Sequence, residues 1–136
     1  MDLTNPVQVL AGTLWGEARG IGPGGMRDVA AVIMNRVNHQ TWWGKDIISV
    51  CQTPYQFSCW NENDPNKAVI EAVSETDPVF MQARSIAMAT MAGIVDDITH
   101  GATYYYAKSM PAPPKWAVGK TPCAEIAGQL FFNNVT

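Results

Sequence analysis

Apolar positions recur at helical spacing over the first third of the chain. Val7, Leu10, Ala11, Leu14, Trp15 and Ala18 follow the i, i+3, i+4, i+7 pattern of an amphipathic helix. Thr4 or Asn5 can cap it, and Pro6 sits where a first-turn proline is tolerated. Gly20, Gly22 and Pro23 stop it. A second helix is predicted from near Gly25. Met26, Val29, Ala30, Ile33 and Val37 repeat on one face, and Val32 and Met34 widen it, so burial on most sides is expected. From His39 to Asn66 the periodicity fades. This stretch predicts a long ordered loop with a short helix over Lys45 to Cys51.

Helical character returns around Lys67 to Val73. A clearer helix follows, with Asp77 as cap, Pro78 as first residue and an apolar face of Phe80, Ala83, Ala87, Met91 and Ile94. The tail changes period. HGATYYYAKSM predicts an extended segment, PAPPKW a turn-rich loop and EIAGQLFFNN a strand. Neither an internal repeat nor a linker interrupts the pattern. The expectation is a mainly α (α+β) chain: one helical domain over residues 1–136, with a long loop and a small extended region.

Composition narrows the classes. Charged residues make up 15% and hydrophobic residues 47%, enough apolar surface to offset the entropy of ordering. A net charge of -3 argues against nucleic acid as the partner, because nucleic-acid binders carry a basic footprint. No run of about 18 apolar residues suggests a membrane span. The N-terminus has Asp2 where a signal peptide wants positive charge, so synthesis in the cytoplasm without an export signal is expected. A monomer is expected. The three cysteines, Cys51, Cys59 and Cys123, read as buried apolar thiols, with a Cys51–Cys59 bridge as the alternative. His39 and His100 have no CxxC or HExxH company, so neither a metal nor another cofactor is expected.

The first candidate for chemistry is Glu17. It extends the Leu10, Leu14 row and so lies at the edge of the apolar stripe. A carboxyl there is partly desolvated, which raises its pKa as a general acid requires. On periodicity alone, a rim glutamate that reaches water or pairs with Arg19 or Arg36 is the plainer reading.

Several motifs in order alter that balance. LWGEARGIGPGGMRDVAAVIMNRVNH resembles the signature of the SleB-type cell-wall hydrolase family, with Gly16-Glu17-Ala18-Arg19-Gly20 followed by Asn35-Arg36-Val37. CQTPYQFSCWN resembles the family's Q-F-S-C-W loop, GATYYYA its G-A-x-x-Y-Y element, and IAGQLFF its closing strand. The resemblance runs from about residue 10 to residue 132. It implies a lysozyme-like fold, Glu17 as the catalytic glutamate, and bacterial peptidoglycan glycan strands as substrate, cut between N-acetylmuramic acid and N-acetylglucosamine. Two positions depart from the pattern. Ile21 stands where a second glutamate is common, and Gln129 where a histidine is common.

The resemblance favours lytic transglycosylase chemistry, in which one glutamate suffices. Muramidase hydrolysis needs a second carboxylate, about 5–5.5 Å away in a retaining enzyme or 6.5–9.5 Å in an inverting one. Asp28, Asp46, Glu62 and Asp64 are candidates, although Asp28 is expected to face solvent and Asp64 can cap a helix before Pro65. For the glycan groove, Gln56, Phe57, Ser58, Trp60, Tyr104, Tyr106 and Trp116 supply ring faces, amides and hydroxyls. Core packing is the competing role for Trp42, Trp43 and Phe57. In an extended segment Tyr104 and Tyr106 share one face and Tyr105 takes the other, so one or two of them face the cleft. The resemblance points to Tyr105, steering or stabilising charge near Glu17. Arg19 and Arg36 are expected to pair with carboxylates at helix ends. A zinc amidase or a Cys/His endopeptidase lacks its ligands or dyad here. A non-catalytic glycan-binding module and a purely structural domain are the readings from other classes. A compact single domain without an export signal, as expected here, would fit a phage endolysin, and a spore-cortex enzyme or virion-associated lysin would share this core.

Overall fold

The structure, a computed structural model, describes residues 1–53 and 56–135. Pro54 and Tyr55, inside the CQTPYQFSCWN segment, and Thr136 lie outside the described residues. Helix α1 spans Pro6–Ala18, α2 Pro23–Asn38, α3 Ile47–Gln52, α4 Pro65–Glu71 and α5 Pro78–Met91. A 3₁₀ turn covers Ser58–Trp60 and another Lys115–Ala117. Strands β1 (Tyr104–Ala107), β2 (Ala124–Ile126) and β3 (Gln129–Phe132) form an antiparallel sheet in the order β1-β3-β2. This is the helical, α+β architecture that the sequence predicts.

The helix starts follow local chemistry. The Asn5 side chain accepts from the Val7 and Gln8 amides, with Pro6 opening the helix. Asp64 and Asp77 cap α4 and α5 in the same way, each followed by proline. Asp46 and Ser49 close a reciprocal capping box on α3. Helix α2 begins two residues earlier than the pattern suggests, because Gly22 adopts φ 94° and lets the chain turn into Pro23.

Helix α1 is central rather than amphipathic. It packs against α2, α3, α4 and α5, and every residue from Gln8 to Trp15 is buried. The side of α1 that the periodicity leaves polar is therefore covered too. Its Leu10 and Leu14 join Met26, Ile33, Ile70 and Phe80 in one cluster, all fully buried. The α5 face ends sooner than predicted: Gly93 at φ 74° terminates the helix, and Ile94 beyond it is 77% exposed.

Two expectations for the remaining segments change. EIAGQLFFNN contains two strands, with Ala127 and Gly128 both at positive φ in the tight turn between β2 and β3. Asp28 is buried at 3% exposure. It shares a small cavity with Ile126 and Ala127, so the hairpin covers the α2 face assigned to solvent. Burial and the charge of Asp97 raise its pKa to about 6.

Candidate active site

Glu17 stands in the last turn of α1. Its Oε1 is, among the described residues, the one buried side-chain oxygen or nitrogen without a hydrogen-bond partner. Burial raises the Glu17 pKa; the Cys59 thiol and backbone amide act against this, and the nearby Asp64 charge adds to it. A carboxyl of this kind holds its proton to a higher pH than a solvated glutamate does. Neither Arg19 nor Arg36 neutralises it. Arg19 Nη1 donates to the Trp15 carbonyl at 3.1 Å and Nη2 to Asn66 Oδ1 at 3.0 Å, and its guanidinium stacks 4.2 Å above the Trp15 ring. The predicted pairing of Arg19 and Arg36 with carboxylates does not occur, because backbone carbonyls, amide oxygens and rings take those cations instead.

Two residues of α1 set the environment of Glu17. Thr13, one turn earlier, donates to the Val9 carbonyl and accepts from Trp60 Nε1 at 2.8 Å, anchoring the 3₁₀ turn that carries Cys59. Gly16 lets that turn approach. A Cβ there would lie 2.5 Å from Ile70 Cδ1, 3.0 Å from Cys59 Cβ and 3.1 Å from Cys59 Sγ. Ile70 can swing aside, but Cys59 is held by its turn. Gly16→Ala is therefore expected to lower stability by about 1 kcal/mol or more, despite the better helix propensity of alanine. Activity should drop by up to about 100-fold through displacement of the wall beside Glu17. Melting curves and turnover of purified sacculi check both, and unchanged values for each would show that the close approach is immaterial.

The tyrosine strand supplies the opposite wall. Burial and the Glu17 charge raise the Tyr105 pKa while Arg36 opposes the shift, so Tyr105 is a neutral phenol within reach of both an acid and a cation. Its ring stacks on Phe131, with centroids 5.7 Å apart at 27°. Tyr104 and Tyr106 lie on the other face against Trp116, and Tyr106 stacks on Phe132. Alternation holds as expected, yet all three tyrosines line one cavity of about 530 Å³. The reason is topological: β1 is an edge strand, and a groove along a free edge meets side chains from both faces.

That cavity brings together Gln56, Phe57, Tyr104, Tyr105, Tyr106 and Trp116, along with Arg36 and the exposed Trp42. Glu17 does not line it directly; Tyr105 links the two. Trp43 and Phe57 are buried in the core, and Phe57 also reaches the cavity. Ser58 is exposed, and Trp60, spent on anchoring Thr13, borders a separate cavity with Asn61, Glu62 and Lys67. These two therefore fall outside the groove: the 3₁₀ turn rotates them away from Phe57. Of the other carboxylates, Asp46 caps α3, Asp64 caps α4 and Glu62 is exposed.

The cysteines are free thiols, Cys51 and Cys59 buried and Cys123 partly so. Burial raises Cys51 to about 12 and Cys59 further, so neither is a thiolate nucleophile at neutral pH. Among the described residues no group of histidines, cysteines and acids is placed to hold a metal, and no helix is long and apolar enough to cross a membrane.

The fold and site together define a helical domain whose central helix ends in a desolvated carboxyl beside an aromatic groove. A model of the cell wall hydrolase family matches residues 21–132, and the chain belongs to that family. Its substrate is the peptidoglycan of the bacterial wall. The matched region takes in the groove and begins at Ile21, past Glu17, so the role of Glu17 rests on its environment and on the Gly16–Gly20 element. Neither a curated protein nor a solved structure shows significant similarity to the chain.

Proposed function

We propose that the protein is a lytic transglycosylase that cleaves the bond from N-acetylmuramic acid to N-acetylglucosamine, with Glu17 as its single acid/base. The observation that carries this is the buried, unpartnered Oε1 of a carboxyl whose pKa is raised. Protonated Glu17 donates to the glycosidic oxygen as the bond to the anomeric carbon breaks. The carboxylate then accepts the proton of the muramic C6 hydroxyl, whose oxygen attacks that carbon and closes a 1,6-anhydro ring. The nucleophile belongs to the substrate, so proximity replaces a second side chain. Tyr105, a neutral phenol, donates a hydrogen bond beside the reacting centre and steers the glutamate. Gln56, Phe57, Tyr104, Tyr106 and Trp116 receive the sugars on ring faces and an amide. The compact domain suits wall lysis of the phage endolysin kind.

One observation favours a second reading. The Asp64 charge acts on Glu17, which makes Asp64 the foremost candidate for the base of a muramidase, although its Oδ1 is engaged by the Asn66 amide at 2.8 Å. The product end separates the two. Mass spectrometry of digested sacculi is expected to give anhydro-muropeptides; reducing muramic ends would establish hydrolysis instead.

A further inference from the structure

Arg36 is 4% exposed, yet it lines the aromatic cavity. Its Nε donates to the Thr103 carbonyl at 2.6 Å and Nη1 to Gln56 Oε1 at 3.0 Å. The guanidinium lies over the rings of Trp43, Phe57 and Tyr104, 4.9–5.5 Å from their centroids. Among the described residues no carboxylate pairs with it. The ionisable groups that act on it are Tyr104, Tyr105 and Cys51, and none is a carboxylate. Buried arginines are almost always paired, because a desolvated cation without a counter-charge is costly. Ring faces and two neutral oxygens offset part of that cost. They do not use all five N–H donors of the fork.

We propose that Arg36 is the binding residue for a carboxylate of the muramic acid unit, so that the groove selects anionic over neutral glycan. This rests on the proposed function and deepens it. Tyr105 lines the same cavity as Arg36 and lies close enough to Glu17 to feel its charge, so the acid and the cation are neighbours of one phenol. A muramic residue cleaved at its anomeric carbon carries its lactyl ether on C3, about one ring-width away. The free lactyl carboxylate of a stripped strand, or a carboxylate of the attached peptide, can reach the cation while the ring lies on the tyrosines. Planar guanidinium matches planar carboxylate, and a charge-assisted bond in a desolvated groove is strong.

The test uses the wild-type protein on three soluble strands: peptide-bearing, amidase-stripped with free lactyl carboxylates, and stripped strands whose carboxyls have been converted to amides. KM for the amidated strand is expected to rise about 10- to 100-fold over at least one carboxylate strand, with kcat little changed. Tightening by the stripped strand would identify the lactyl group, and tightening by the peptide-bearing strand alone would identify the stem. Arg36→Lys and Arg36→Met, checked for folding by their melting curves, should shrink the ratio of the amidated to the carboxylate KM toward one, whatever either variant does to KM on both strands alike. Should those variants unfold, the substrate comparison with wild type decides alone. Equal KM on carboxylate and amidated strands would overturn the carboxylate site while leaving the glycosidase reading standing. No cleavage of any strand would overturn both.

Discussion

Glu17→Gln is expected to lower kcat/KM on peptidoglycan by about 10²–10⁴-fold while leaving the fold intact. The amide has nearly the same shape but no proton to give to the glycosidic oxygen. In the parent enzyme, turnover should fall as pH rises through the raised pKa of Glu17, so the alkaline limb should lie above the ordinary carboxylate range. Stability carries the same signature. The folded pKa is above the unfolded value of 4.5, so the protonated form is the one the fold favours. Its contribution is fully present below pH 4.5 and is lost as pH rises through the folded pKa. Glu17→Gln should lack this slope and melt at or above the parent temperature at pH 8, because a buried carboxylate without a partner at Oε1 is gone. Residual activity within a few-fold of the parent would remove Glu17 from the chemistry. A lower melting temperature at pH 8 would instead show that the carboxylate is compensated in the fold.

How far the sequence anticipates this arrangement depends on whether the deciding interactions are local. Asn5 with Pro6, Asp64 with Pro65 and Asp77 with Pro78 mark helix starts because a side chain and the amides it caps lie within three residues. The placement of Glu17 is readable for a related reason, since one helical row carries it from Leu10 and Leu14 into the core. Asp28 is not readable. Its angle on α2 points away from the apolar centre, but a hairpin about 100 residues later covers that side. The hairpin itself is hidden because its turn uses Ala127 in a conformation that alanine rarely adopts, in place of an Asn-Gly signal. Arg36 is the largest omission among the site residues. It reads as a helix-end charge within Asn35-Arg36-Val37, whereas its partners Gln56, Thr103 and Tyr104 come from distant loops and the strand. The split within the Gln56–Trp60 run has the same origin. Gln56 and Phe57 reach the groove, while Trp60 is claimed by Thr13 on α1, which periodicity along the loop cannot reveal.

The second large effect is expected far from any carboxylate. Phe131 is fully buried between Val32 of α2, Ala102 and the underside of Tyr105. Its backbone pairs opposite Tyr105 in the sheet, and its carbonyl accepts from the Cys123 amide at 2.8 Å, so neither its position nor its ring can relax without moving both neighbouring strands. Phe131→Ala should cost about 3–5 kcal/mol, a fall of roughly 10–20 °C in Tm, because a small paired sheet resting on α2 cannot collapse onto a cavity of that size. Phe131→Leu separates stability from function. It refills most of the volume at a cost of about 1–2 kcal/mol, yet it removes the ring on which Tyr105 stacks. If Tyr105 acts beside Glu17, the leucine variant should be well folded at assay temperature and still lose kcat, with KM for the glycan changed much less. A leucine variant with parental kcat would show that Tyr105 is held well enough by its strand pairing alone. The stack on Phe131 would then be a feature of the core and not of the active site.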